Sequence, residues 1–340
     1  MILGVLCRTL AGHDVTVLSA DPAQTQAEHG VAAIPRRDPL AVLGALARTD
    51  LLVSGGGGLL QDATGPASVP YYLGIVAAAR LLRRPVMVYA QGIGPLRAGW
   101  ARAALRVLRG ARAVTVRDAE SAQLLQRAGV RDVEVTADAV LSLPRPDPAG
   151  VPEELRAAGI GPGETVLALA PRPYGGEVFT AGLAAAADGL AGALSARVVL
   201  VPMQRREDTP ACERIAAAMR CPAIVLHQRL PAARYPALFA GFHAVLGMRL
   251  HALVLAALCR VPAVGLSYDP KIDAFLRGLG PAGAEMGLDA APAALAARVR
   301  AFFPPSAERA AALDAAVSRL QTLARRNDAR LLALLPPTNP

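Results

Sequence analysis

A chain of 340 residues, 53% of them hydrophobic, has room for two domains that each bury their own core. Its 36 Lys+Arg against 27 Asp+Glu leave a net charge of +9, which suits an acidic small molecule, nucleic acid or an anionic membrane surface. Nucleic acid is the weakest of these, because only 4% of residues are aromatic and no basic run is interleaved with them as a stacking platform needs. Apolar runs such as 251–258 and 165–170 fall far short of the ~20 residues that span a bilayer. No basic-apolar-cleavage pattern opens the chain. Cys7, Cys212, Cys221 and Cys259 show no C-x-x-C or Cys/His ligand spacing, so a cytoplasmic protein without disulfide, metal or cofactor is expected.

Residues 1–10 read as the tail of a helix and 14–19 as the first clear strand. A doubly wound domain ordinarily opens on a central strand and a glycine-bearing turn, so the first strand and its loop are expected to be missing here. The next helix is 40–46, with Asp38 as N-cap and Pro39 at its first position. A short strand at 51–54 runs into Gly55-Gly56-Gly57-Gly58-Leu59-Leu60-Gln61-Asp62. Glycines after a strand let the backbone approach a ligand and offer free N–H groups, although a flexible strand-to-helix turn explains them equally well. Neither Gly-Lys-Ser/Thr nor G-x-G-x-x-G spacing follows. A helix at 70–82 and a strand at 86–90 lead to a second glycine loop, Gln91-Gly92-Ile93-Gly94-Pro95. After a helix at 100–108, the strand 113–116 delivers Arg117 and Asp118. Asp118 reads as N-cap of a helix at 118–125, and Arg117 as a bidentate ligand for carboxylate or phosphate. The strand 133–136 closes this half with Asp138 at its tip.

A proline-rich linker at 142–152 separates an N-terminal domain, 1–143, from a C-terminal domain, 144–340. The strand–helix alternation then restarts. Strand 165–170 enters Pro171-Arg172-Pro173-Tyr174, helix 179–194 follows, and strand 198–201 enters Pro202-Met203-Gln204. A helix at 208–219, a strand at 223–226 and a helix at 234–240 lead to the most informative stretch, 247–275. There the strand 244–246 turns into a helix carrying Arg249 and His251 in its first turn, and the strand 263–266 delivers Ser267-Tyr268-Asp269-Pro270-Lys271. Lys271 is the sole lysine beside thirty-five arginines, so a place where arginine's wider fork is unsuitable is expected. His251 suits general acid–base work, against the plainer reading of a packed histidine at a helix start. Helices at 291–302 and 306–335 close the chain. Parallel sheets, two Rossmann-like domains and a ligand crevice at strand carboxyl ends are the expected architecture.

The ordered set Ser-Gly-Gly-Gly-Gly-Leu-Leu-Gln-Asp, Pro-Tyr-Tyr-Leu-Gly, Tyr-Ala-Gln-Gly-Ile-Gly-Pro, Thr-Val-Arg-Asp, Thr-Ala-Asp, Pro-Arg-Pro, Pro-Met-Gln, Met-Arg-Leu-His-Ala-Leu and Ser-Tyr-Asp-Pro-Lys resembles the polysaccharide pyruvyl transferases, in particular bacterial enzymes that pyruvylate secondary cell-wall polymers. The resemblance implies an α/β fold like that of the B-type glycosyltransferases, with the active site in the interdomain cleft. It implies phosphoenolpyruvate as donor and a saccharide acceptor in a lipid-linked wall precursor, and it leaves open peripheral contact with the inner face of the membrane. It places Arg117, His251 and Lys271 at the donor-binding and catalytic positions. Gly56, Gly57, Gly58, Gln61, Asp62, Gln91, Gly92, Gly94, Arg172, Gln204, Arg249 and Tyr268 are the expected substrate-binding residues. Two alternatives stay open: a nucleotide-sugar glycosyltransferase or sugar epimerase on the same scaffold, and a non-catalytic binding protein.

Overall fold

The computed structural model describes residues 1–62, 67–147, 150–288 and 291–336; part of the linker expected at 142–152 lies outside them. Two compact units result, one formed by Met1–Leu143 with Leu320–Pro340, the other by Pro144–Arg319. The sequence reading assigns 320–340 to the second domain, whereas residues 320–336 group with the first unit.

The first unit contains a two-stranded sheet, β1 (Thr16–Ser19) with β2 (Ala32–Pro35), and a four-stranded sheet. The latter runs β3 (Leu52–Leu60), β4 (Val86–Ile93), β5 (Ala113–Val116), β6 (Val133–Val135), with every pairing parallel. All eight residues of β4 are buried, the continuous pattern of a parallel strand covered on both faces. On one face the helix Ser68–Leu81 inserts Val69, Leu73 and Val76 beside Val86, Val88 and Val114. On the other, Val5 from the helix Ile2–Thr9 and Leu331 from the final helix meet Met87 and Tyr89. The part of the final helix, Ala307–Leu332, that belongs to the first unit is tied to it through polar groups as well. Buried Asn327 donates to the Ala137 carbonyl at 3.1 Å and accepts from the Thr136 hydroxyl at 2.7 Å, and Asp328 accepts from the Tyr89 hydroxyl at 2.6 Å. Pairing these groups offsets the cost of burying them.

The glycine run is strand rather than the open turn expected from sequence. β3 continues through it, pairing Gly55 with Tyr89, Gly57 with Gln91 and Leu60 with Ile93, with a register irregularity between Gly57 and Leu60. A Cβ on Gly55 would lie 2.2 Å from the Tyr89 carbonyl oxygen, so close backbone approach dictates glycine there. Gly56 and Gly57 have φ near +81°, a region that side chains rarely tolerate.

The second unit is one six-stranded parallel sheet: β7 (Thr165–Ala170), β8 (Ala196–Leu200), β9 (Ala223–Val225), β10 (Ala244–Gly247), β11 (Ala263–Ser267) and β12 (Ala284–Gly287). Their spatial order is β12-β11-β10-β7-β8-β9. Counted within the unit this is 3-2-1-4-5-6, the doubly wound order whose direction reverses between its first and fourth strands, here β7 and β10. The helix Gly176–Leu194 is, among the described residues, the one long and apolar enough to cross a membrane by length and composition. Its Leu183, Ala187 and Leu190 pack instead against Leu167, Leu169 and Val198 of the sheet. Asp188 on the same helix is 8% exposed and accepts the backbone N–H groups of Arg220 and Cys221 at 2.9–3.0 Å.

Candidate functional site

The candidate residues divide between the two units. In the first, β4 and β5 run side by side; Gln91 and Gly92 lie within the last residues of β4 rather than in a loop after it, and Arg117 follows β5. Asp118 ends its strand by capping the helix Ala119–Arg127, accepting from the Ser121 N–H at 2.7 Å. Arg117 is 7% exposed at its side chain and donates to Asp138 at 2.9 Å, with Asp118 at 3.7 Å from its Nε. Asp138 is itself fixed by the Val140 N–H, so the pair is rigid. The guanidinium lies flat against Gly92, where a Cβ would come within 2.5 Å of its Nε and Nη2. Its Nη2 is also 3.9 Å from the position a Cβ would take on exposed Gly58. Gln91 is fully buried, and among the described residues neither its Oε1 nor its Nε2 makes a hydrogen bond. A buried carboxamide without partners is costly.

Asp62 and Gly94, also expected as ligands in this unit, make hydrogen bonds within its loops. Asp62 accepts the Arg97 and Ala98 N–H groups at 2.9–3.0 Å, and these bonds hold its carboxyl below the ordinary carboxylate range. Gly94 donates to the Leu60 carbonyl at 2.8 Å and adopts φ +94° just before Pro95. Gln61 lies half-buried between β3 and Asp62. The close neighbour of Gly56 and Gly57 is the Ile2 side chain, whose Cγ2 would sit 2.1 Å from a Cβ on Gly56.

In the second unit, three neighbouring strands deliver most of the remaining candidates, and Gln204 follows β8. β10 lies between β7 and β11, so the residues following these strands emerge together along one sheet edge. Arg172 follows β7, His251 stands in the first turn of the helix Leu250–Leu258 after β10, and Tyr268 and Lys271 follow β11. Every residue of Leu250–Leu258 is buried except His251, which is partly open. The one polar side chain of an otherwise apolar helix is thus the one not wholly buried, although its Nε2 is covered. Arg172 carries its Cζ 4.4 Å from the Tyr268 ring centroid, a cation–π contact. Among the described residues no carboxylate pairs with it, and its buried Nε has no hydrogen-bond partner. Lys271 is partly exposed in the first turn of the helix Pro270–Gly278 and contacts Asp269 at 2.8 Å. Asp269 also caps that helix through the Lys271 N–H at 3.1 Å.

Arg249 is engaged differently from the expectation. Its guanidinium meets fully buried Asp208 at 3.1 Å and Glu207 at 2.9 Å. Burial pushes its pKa down, but Asp208 outweighs burial and raises it. Asp208 also takes the Gln204 N–H at 2.8 Å, so Arg249 and Gln204 brace the start of the helix Arg205–Ala218. Removing one partner of such a buried pair costs about 3–5 kcal/mol. Asp208 was not legible as this partner, being forty-one positions from Arg249.

Beside Tyr268 a cavity of about 860 Å³ opens, lined by Tyr174, Phe179, Leu266, Tyr268, Asp269 and Asp273 among others. Tyr174 packs edge-on to Phe179 at 5.5 Å between centroids and tilted to Tyr268 at 6.3 Å. Its walls are aromatic and acidic, so it suits a flat or apolar group better than an anion.

Among solved structures, the chain is similar to Anabaena HepE in complex with UDP-glucose (17% identity, 98% of this chain and 96% of that one, TM-score 0.62). It is also similar to S. aureus MnaA with UDP (12%, 99% and 94%, TM-score 0.66). A third is UDP-GlcNAc 2-epimerase from Neisseria meningitidis bound to UDP-GlcNAc (13%, 97% and 96%, TM-score 0.62). At these identities the likeness establishes the fold, that of the GT-B glycosyltransferases and epimerases. No curated protein matches the chain significantly in sequence. The model of one family, polysaccharide pyruvyl transferase, matches residues 5–270, most of the chain and nearly all of the motifs described above. The chain belongs to the polysaccharide pyruvyl transferase family.

Proposed function

We propose that this protein transfers the pyruvyl group of phosphoenolpyruvate to two hydroxyls of one sugar in a polysaccharide or its lipid-linked precursor, forming a ketal and releasing phosphate. The observation that supports this most is the topological switch point of the second unit. Arg172 and His251 flank it, and Tyr268 and Lys271 stand one strand further on. Open α/β sheets bind ligands at that position. Phosphoenolpyruvate needs cations for a carboxylate and a phosphate. Arg172, which pairs with no carboxylate among the described residues, and Lys271 on its short reach from Asp269 supply two. Arg117 carries its donor assignment from the family resemblance, with Asp138 fixing its orientation.

In this reading His251 mediates the proton traffic. Protonation of C3 of the donor makes C2 electrophilic, and a sugar hydroxyl adds there as its proton is taken up. The C2–O bond to phosphate then breaks, and the second hydroxyl closes on C2 while its proton leaves with phosphate. One donor and one diol thereby give one ketal and one phosphate. General acid–base help of this kind contributes roughly 10²–10⁴-fold. The test is phosphate release from phosphoenolpyruvate with and without a polysaccharide acceptor, for wild type and Arg172→Ala. Acceptor-dependent release that the variant loses supports the reading, and no release refutes it together with turnover of this donor.

The aromatic cavity beside Tyr268 favours a second reading, a nucleotide-sugar reaction with the base held among Tyr174, Phe179 and Tyr268. A melting temperature raised by UDP or a UDP-sugar but not by phosphoenolpyruvate would select it.

A further inference from the structure

Among the described residues, four of the nine large exposed hydrophobic side chains lie on or beside two helices of the first unit: Leu40 (80% exposed), Leu43 and Leu81 (84%) on them and Leu82 just after the second. The helices Pro39–Arg48 and Ser68–Leu81 touch each other. At one end the Tyr71 hydroxyl donates to the Arg36 carbonyl at 2.6 Å, and at the other Arg84 donates to the Ala47 carbonyl. Each helix buries one stripe, Val42 and Leu46 on the first and Val69, Leu73, Val76 on the second. Their outward stripes are also apolar. On the first helix Leu40, Leu43 and Ala47 are exposed, and on the second Pro70, Gly74 and Leu81, with no charged residue inside either helix before Arg48 and Arg80. A helix whose outer face lacks charge is unusual on a protein surface, where such patches mark interaction sites.

The ends of this face are cationic. Arg36 and Arg37 stand at one end, and Arg48, Arg83 and Arg84 at the other. The acids nearby in sequence are Asp38 and Asp50, and the Asp38 carboxylate is occupied by the N–H groups of Leu40 and Ala41. We propose that this face docks on an anionic lipid bilayer, with the leucines entering the headgroup–acyl boundary and the arginines meeting lipid phosphates. Apolar residues flanked by cations are what an anionic interface binds. A second copy is disfavoured by charge, because both ends are positive and any two-fold pairing of the face sets arginine against arginine. The inference stands apart from the reaction proposed above and requires no turnover.

The experiment is co-sedimentation of the full chain with vesicles of phosphatidylcholine alone and of equimolar phosphatidylcholine and phosphatidylglycerol, at low and high salt. Binding to the anionic vesicles that salt weakens is expected. Leu40→Glu with Leu81→Glu should weaken it at least tenfold. Arg37→Gln with Arg48→Gln and Arg83→Gln should weaken it by about fivefold per arginine. These side chains are exposed, so melting temperatures stay near wild type. Failure to bind anionic vesicles, or undiminished binding by the leucine variant, overturns the proposal. So does a dimer in solution that dissociates in the leucine variant without vesicle binding, which would assign the face to a second copy.

Discussion

Gly92→Ala tests whether the position of Arg117, rather than its charge, matters. A methyl at this position would lie 2.5 Å from Nε and Nη2 and 2.6 Å from Cζ of Arg117. Ordinary contacts begin at about 3.5 Å, so the guanidinium must retreat by about 1 Å. It has little room, being 7% exposed and bonded to Asp138 at 2.9 Å. The strain should cost about 1–3 kcal/mol of stability, as overpacking does. If Arg117 contacts the donor, a displacement of this size should cost turnover about 10²-fold, because reacting groups tolerate little misplacement. Phosphate release from phosphoenolpyruvate in the presence of acceptor measures turnover, and thermal unfolding measures stability. Gly192→Ala is the control, since nothing lies within 4 Å of a Cβ there and the change should add about 0.4–1 kcal/mol. Wild-type turnover in Gly92→Ala, with the expected loss of stability, would refute a role for Arg117 in the reaction.

Lys271→Arg keeps the charge beside Asp269 but replaces a compact ammonium by a wider fork, and should lower transfer at least tenfold, about 1.4 kcal/mol of transition-state stabilisation. An unaffected rate returns Lys271 to a surface role. His251→Ala should reduce turnover while donor binding, read by thermal shift, persists; loss of binding with turnover intact at saturation would make it an anion ligand instead. Asp188→Asn should destabilise the second unit by about 1–3 kcal/mol, because a buried carboxylate accepting backbone N–H groups loses its charge. Burial raises the Asp188 pKa, but those N–H bonds outweigh it and the net shift is downward. Its contribution is therefore complete above the ordinary carboxylate pKa and fades as pH falls through the lower folded value. Unfolding curves of wild type and variant should converge in acid, and a constant gap at every pH contradicts the assignment.

The parallel architecture was legible because apolar runs such as 86–90, 165–170 and 244–246 alternate with helix signals, and caps at Asp38 and Asp118 are local chemistry. The helix Pro22–His29 was missed although Asp21, Pro22 and Gly30 mark its two ends. β2 and β12 escape because Ala-Ala-Ile-Pro and Ala-Glu-Met-Gly hold little of the β-branched content that marks strands such as β1 and β5. Strand structure through Gly55–Gly58 could not be read at all, since glycine disfavours strands and the pairing is imposed by β4. Among the candidate residues, Arg117 in the first unit and Arg172, His251 and Lys271 in the second were singled out by their places just after parallel strands, where ligand groups are carried. The carboxylates that hold Arg117 and Arg249 were not legible as partners, because Asp138 and Asp208 are brought to them by long-range packing.

The central claim is most directly tested with phosphoenolpyruvate labelled in its carbon skeleton, incubated with the protein and a saccharide acceptor. The account predicts that label moves into the acceptor in an acid-labile ketal, with one phosphate released for each pyruvyl group transferred. Label recovered as free pyruvate, or retained in the donor while a UDP-sugar is consumed, would contradict it.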